Sequence, residues 1–436
     1  MSQNPPTGTP ASGTVQNFHE ILKAMLAHAD NVSDLIFSPG RPAQVEHIGK
    51  LHPISLPGLE RLLPQHTAAI AKVLVAGNEA AAESLERTGS ADVSYSLPGM
   101  SRFRVNVFKQ RGTIAIVMRV IPNRVPTFRD LNLPEHLKDV VDLKNGIVLV
   151  TGPTGSGKSS TLAAIVDEIN QRHAYHIVTI EDPIEFLHPH KLSTVHQREL
   201  HTDTDNFASA LRAALRQAPK VILVGEMRDL ETVEVALDAA ETGHLVFSTL
   251  HTTDAAKTVD RIIGIFPKTH EQSIRQRLST SFRYIVSQRL LPRADGRGRI
   301  PAVEILRSTM RTREYIEKGE AEKRSLIEAM RAGDIDGMQD FDTVLEKMVR
   351  EGAVTLDDGL AYATNRHNLR LSLADLRDDT SSQVPPQTPP PRPAATAPPA
   401  MRSGPPPGVR PVTRPGYEEA GNPKNRTGSL LDEIER

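Results

Sequence analysis

"VLVTGPTGSGKSS", Val148 to Ser160, passes from an apolar run through a glycine-punctuated loop into a helical pattern. It matches the phosphate-loop pattern G-x-x-x-x-G-K-[ST] at Gly152, Pro153, Thr154, Gly155, Ser156, Gly157, Lys158 and Ser159. That pattern carries meaning only between a strand and a helix. Here "GIVLV" precedes it and "STLAAIVDEIN" follows. Glycines let backbone N–H groups turn inward around phosphate oxygens, at a helix N-terminus whose dipole favours anions. Lys158 is placed to reach the β- and γ-phosphates of ATP. Ser159 offers its hydroxyl to Mg²⁺, and Ser160 adds an α-phosphate contact.

Working outward, "HIVTIEDP", "VILVGE" and "HLVFSTLH" repeat the alternation of apolar runs with helical segments. Buried strands between helices predict an α/β fold with a parallel sheet covered on both faces. "ILVGEMRD" (Ile222 to Asp229) ends such a run on an acid. A strand terminus meeting solvent explains a lone Glu. Beside a phosphate loop another reading is stronger. The second apolar strand is expected to lie beside the first and to end near the γ-phosphate, with Glu226 accepting a proton from the attacking water. Gly225 stands before it, so no neighbouring acid helps to hold Mg²⁺. A carboxylate of "TIEDPIEF" is expected to assist: Glu181, in part through water, with Asp182 and Glu185 nearby. His244 and His251 bracket one strand, seven apart. They read either as ordinary core or loop histidines, or as a γ-phosphate sensor and a positioner of the acids.

The flanking regions read differently. Residues 1–13 are rich in Pro, Gly, Ser and Thr, which predicts disorder. A helix is expected from Val15 to Leu26, short strands around a Pro39-Gly40 turn, and a second helix near Pro64 to Ala76. "ADVSYSLPG" and "SRFRVNVFKQRGTIAIVMRVIP" alternate at period two, an antiparallel hairpin around Arg111-Gly112. Residues 14–122 are therefore expected to form one α+β domain, 123–136 a proline-punctuated linker, and 137–376 the nucleotide-binding domain. Helical patterns run from Arg261 to Leu290 and from Glu314 to about Leu376. The tail, residues 377–436, is dense in proline and predicted to be disordered. For its final "GSLLDEIER" two readings stand: one turn of a docking amphipathic helix, or a frayed terminus.

Bulk numbers narrow the function. The chain has 436 residues, 24% charged, with net charge -1, which gives no reason to expect nucleic acid as a partner. With no cysteine there is neither a disulfide nor a cysteine-ligated metal. No stretch reads as a signal peptide or a membrane span, so direct membrane insertion is not expected.

In combination the motifs resemble the type IV pilus retraction ATPases, the PilT/PilU group of the type II/IV secretion ATPase superfamily. "GPTGSGKSS" resembles that family's Walker A and "TIEDPIEFLH" its Asp box. "VILVGEMRD" resembles its Walker B, "AAETGHLVFSTLHTTDAAKTVDRIIGIFP" its His box, and "GMQDFDTVL" its C-terminal helical signature. The resemblance implies a PAS-like N-terminal domain, a RecA-like ATPase domain with helical extension, and a cytoplasmic homohexamer. That ring would act at the inner-membrane base of the pilus on a platform protein, with a paralogous retraction ATPase as a further partner. It also implies that Arg102, Arg104 and Arg119 reach toward the nucleotide. Four departures stand out. The family's R-Q-D-P-D is Arg216-Gln217-Ala218-Pro219-Lys220 here, "VSDLIFSPG" lacks a His, "AQVEHIGK" lacks an Arg, and "MRTREYIEKGE" keeps little of the retraction signature. Alternatives are an assembly or type II secretion ATPase, an accessory nucleotide-binding regulator and, more weakly, a nucleic-acid translocase.

Overall fold

A computed structural model describes residues 12–30, 32–122, 124–321 and 324–375, which all lie in one compact unit. The expected Pro-rich tail, the "GSLLDEIER" motif and residues 1–11 fall outside the described residues.

The N-terminal part begins with α1 (Ser12–Leu26), β1 (Asp34–Phe37), β2 (Gln44–His47) and β3 (Lys50–Pro53). It continues through α2 (Pro64–Val75), α3 (Glu79–Thr88), β4 (Ser90–Leu97), β5 (Ser101–Gln110) and β6 (Thr113–Ile121). The strands form one antiparallel sheet in the order β3-β2-β1-β6-β5-β4. Alternation does what the sequence predicts. Phe103, Val105 and Val107 point into a core shared with Phe18 and Leu22 of α1, while Arg102, Arg104 and Asn106 face the other way. The hairpin turns at Arg111 (φ +47°) and Gly112 (φ +74°), both in the left-handed region that a two-residue type I′ turn demands. Two details differ from expectation. The first helix already includes Ser12 and Gly13, which were expected to be disordered. Helix α3 was not anticipated, although Asn78 caps it by accepting from Ala81 N and Gly89 ends it at φ +80°.

The second part is a seven-stranded sheet. Its strands are β7 (Gly146–Thr151), β8 (His176–Glu181), β9 (Thr194–Glu199), β10 (Val221–Val224), β11 (Leu245–Leu250), β12 (Phe282–Pro292) and β13 (Arg299–Arg307). The order is β13-β12-β7-β11-β10-β8-β9, parallel throughout except for the antiparallel edge strand β13. Helices α4 (Lys158–Arg172), α5 (Phe207–Ala214), α6 (Leu230–Glu241), α7 (Ala255–Gly264) and α8 (Glu271–Ser281) connect them. Helices α9 (Met310–Lys318), α10 (Leu326–Arg331), α11 (Phe341–Arg350), α12 (Leu356–Ala361) and α13 (Arg366–Ser372) follow. β7 explains why such strands read as continuous apolar runs. Ile147 and Leu149 pack into one core and Val148 and Val150 into another, because helices cover both faces.

Two expectations are corrected. The Glu226 strand does not lie beside the phosphate-loop strand, because β11 pairs with both β7 and β10 and separates them. The helical reading to Leu290 stops at Ser281. From Phe282 the chain is β12, and β13 follows it. Ser287 and Gln288 interrupt the apolar pattern of β12 yet are buried, bonded to the Thr151 and Thr161 hydroxyls at 2.9 and 2.8 Å. The segment after Pro122 is packed as well as connecting: Phe128, Leu133 and Leu137 are buried in the core that contains Val148.

Candidate functional site

The carboxyl ends of β7, β8, β10 and β11 open on one cavity of about 340 Å³. Ligand sites of open parallel sheets lie at this end, and the size is that of a small-molecule site. The loop between β7 and α4 makes its floor. Gly152 sits at φ +145°, and a Cβ there would come within 2.5 Å of both Gln288 O and Ser156 Oγ. Gly155 (φ +79°) and Gly157 (φ +97°) complete the turn that presents the N-terminus of α4. Lys158, the first residue of that helix, donates to Gly152 O at 2.8 Å and to Pro153 O at 3.1 Å. Burial pulls its ammonium below the ordinary lysine range, and the carboxylates of Glu185 and Glu226 oppose that shift. Thr154 and Ser159 also line the cavity.

Glu226 stands two residues beyond β10. Its backbone is fixed from both neighbouring strands. Gly225 N donates to Ile180 O (2.8 Å), Thr249 Oγ1 donates to Gly225 O (2.6 Å), and Met227 N donates to Thr249 O (3.2 Å). Its carboxylate meets Arg228 Nε at 2.5 Å and His251 Nε2 at 3.4 Å. Glu181 stands at the end of β8 and lines the same cavity. Burial raises its carboxyl to about 7, against hydrogen bonds donated by Thr179 Oγ1 (2.6 Å) and Gln197 Nε2 (3.1 Å). Asp182 and Glu185 line the same cavity, as does His188, which burial pushes down to about 4 and so keeps neutral near pH 7.

The cavity thus gathers Lys158, Ser159, Glu181, Asp182, Glu185, Glu226 and His251 of the expected residues, with Arg104 from the N-terminal sheet. Others are elsewhere. His244 precedes β11, at the opposite end of the strand from His251, and donates from Nδ1 to Ala239 O at 2.9 Å. Its reading as a phosphate sensor does not hold for this cavity: six strand residues separate the two rings, so one strand cannot bring both to one end. Arg119 pairs with Asp34 at 3.0 Å through an exposed side chain and does not line the cavity. Arg102 pairs with the buried Glu199 at 2.8 Å instead of facing the cavity, and Ser160 does not line it. Sequence reasoning missed Arg228, Thr249, Gln197 and Glu199. Arg228 stood in plain view two residues after Glu226. The β9 pair had no motif to mark it. Among the described residues no group of three or more His, Asp or Glu is arranged to hold a metal by itself, and no helix is long and apolar enough to cross a membrane.

Comparison with known proteins places this site in context. Residues 69–358 match the family model described as type II/IV secretion system protein. The type IV pilus retraction ATPase PilT of Pseudomonas aeruginosa is 44% identical over 326 residues, 75% of this chain and 92% of that protein. The type IV pilus ATPase PilU of the same organism is 37% identical over 356 residues, 82% of this chain and 91% of that protein. A crystal structure of the pilus retraction motor PilT with bound ADP superposes with a TM-score of 0.72 at 42% identity. It covers 81% of this chain and 98% of its own. The chain is a P-loop ATPase and belongs to the type II/IV secretion system protein family.

Proposed function

We propose that this protein is the ATP-hydrolysing motor of type IV pilus retraction. The observation that carries the reading is the meeting of Lys158 and Glu226 in one cavity, from strands that are not neighbours. Likeness along nearly the whole length of a retraction ATPase supports it. Lys158 and the N-terminus of α4 bind the phosphates. Glu226, oriented by Arg228 and His251, takes the proton of the attacking water, and Arg104 adds positive charge from the N-terminal sheet. Mg²⁺ suits the donors present, since it takes few protein oxygens and completes its shell with phosphate oxygens and water. Ser159 and Glu181 would hold it, Glu181 in part through water. Bound there it would neutralise charge on the phosphates.

The architecture in this reading is a PAS-like domain over residues 14–122, a linker over 123–136 and a RecA-like ATPase domain over 137–376. The working form is a homohexamer at the cytoplasmic face of the inner membrane, acting on a platform protein and cooperating with a paralogous ATPase. A second reading, an accessory member of a retraction pair, is favoured by one local feature. Ala218 and Lys220 stand where the family it resembles carries Asp, so two acids are lost and a cation is gained just before β10.

Glu226→Gln tests the motor. It keeps the shape and removes the base, so turnover should fall at least about 100-fold with nucleotide affinity within about threefold. In the source organism, deletion replaced by this variant should give excess pili and no surface movement. Absent pili would instead indicate assembly, and hydrolysis at the parent rate would remove Glu226 from the mechanism.

A further inference from the structure

Strand β9 lies at the sheet edge, outside every motif discussed above, yet two of its side chains reach back over the acidic loop that follows β8. Gln197 and Glu199 are two apart and share a face of the strand. Gln197 accepts from His188 N at 2.8 Å, and its amide donates to Phe186 O at 2.8 Å and to Glu181 Oε1 at 3.1 Å. These three bonds fix both ends of the amide and both ends of the loop. Glu199 Oε2 accepts from Ile184 N at 3.0 Å, in the middle of that loop, and from Arg102 at 2.8 Å. The carboxylate of Glu199 is buried, and Arg102 is a cation of the N-terminal sheet two residues from Arg104 on the same strand, and Arg104 lines the cavity. The strand end is itself held. Glu199 N donates to Asp203 Oδ2 at 2.8 Å, Asp203 N donates back to Glu199 O at 2.8 Å, and Leu200 N donates to Glu181 O at 2.9 Å.

We propose that Gln197 and Glu199 are positioning residues that set the loop Glu181–His188 against the phosphate cradle and tie it to the N-terminal sheet through Arg102. The proposal rests on the hydrolytic reading above. Neither side chain lines the cavity. Their effect therefore passes through the placement of Glu181, Asp182 and Glu185. The two N-terminal arginines divide the work: Arg104 faces the cavity, and Arg102 reports the position of its sheet to the acidic loop through one buried carboxylate. An unpaired buried charge is costly, so the loop, Glu199 and Arg102 hold their positions together.

Steady-state ATP hydrolysis by the purified full chain tests this. Gln197→Leu and Glu199→Leu should each lower kcat at least about tenfold while KM for ATP stays within about threefold, because the Lys158 cradle is untouched. Glu199→Gln, which still accepts from Ile184 N, should recover most of that loss. Arg102→Met should lower kcat in the parent and change it little in the Glu199→Leu background, since both remove the same tie. If either Leu variant fails to fold, Gln197→Asn, one methylene short, carries the same kcat-without-KM expectation. Unchanged kcat in the folded variants, losses confined to KM, or an additive Arg102 effect would overturn the proposal. Glu226→Gln in the same assay separates the two readings: its loss of turnover leaves the hydrolytic reading standing whatever β9 does, and parent-level turnover removes that reading.

Discussion

His251 and His244 end the same strand, β11. His251 stands 3.4 Å from the Glu226 carboxylate, whereas His244 is bonded to the Ala239 carbonyl at the far end of the sheet. The contrast extends to the two sheet edges around them. At the carboxyl ends, Lys158, Glu181, Glu185 and Glu226 surround open space. At the amino ends, polar groups are used up by local bonds. His176 Nδ1 pairs with Gln217 O at 2.9 Å, Lys220 N donates to His176 O, and Leu245 N donates to Lys220 O. In a parallel sheet all the strands point one way, so one end collects the chemistry and the other only has to close the turns.

The largest effect expected at the working end is that of Lys158→Ala. Loss of the cradle ammonium should weaken nucleotide binding at least about 100-fold, roughly 2.7 kcal/mol, by calorimetry. Affinity left at the parent level would break the contrast between the ends. Next, His251→Ala should slow hydrolysis about tenfold, and His244→Ala should change it less than about twofold. Equal losses from both would mean that the far end also serves the reaction.

A third test uses a carboxyl outside the cavity. Glu304, in β13, accepts from Ala255 N at 2.8 Å, and burial raises it to about 7. A carboxyl with a raised folded value holds its proton more tightly in the native state. Its contribution is therefore full below the unfolded value of 4.5 and is lost as pH rises toward 7. Relative to Glu304→Gln, the parent should lose ~3 °C or more of melting temperature between those pH values. A constant difference across that range would exclude Glu304 as the group that titrates. The smallest effect concerns Ala218, whose φ of +51° glycine adopts without strain. Ala218→Gly should raise stability by about 0.5 kcal/mol and leave turnover alone.

Much of this was legible in the sequence because the phosphate loop brings its own context rule. A strand before Gly152 and a helix after Lys158 fixed the fold class, and Glu226 was readable as the acid ending a buried run. The neighbour of the Glu226 strand was not, since strand order depends on which helices cross which face. Nor could seven-residue spacing say that His244 and His251 lie at opposite ends until the residues between them were known to be one extended strand. The sequence pattern reads as helical through Leu290, whereas β12 begins at Phe282; the polar Ser287 and Gln288 within it are satisfied by the hydroxyls of Thr151 and Thr161, more than a hundred residues away. Helix α3 was different, because Asn78 and Gly89 mark both its ends in the sequence. Gln197 and Glu199 carried no local signal. Their importance lies in the partners they find across the chain.

The insertion of β11 between β7 and β10 also sets a length. Neighbouring strands are about 4.8 Å apart, so the cradle strand and the Glu226 strand are separated by roughly 10 Å across the sheet. The intervening strand therefore sets the breadth of the cleft: Lys158 and Glu226 enter it from positions two strands apart, with Thr249 and His251 of the β11 end between them.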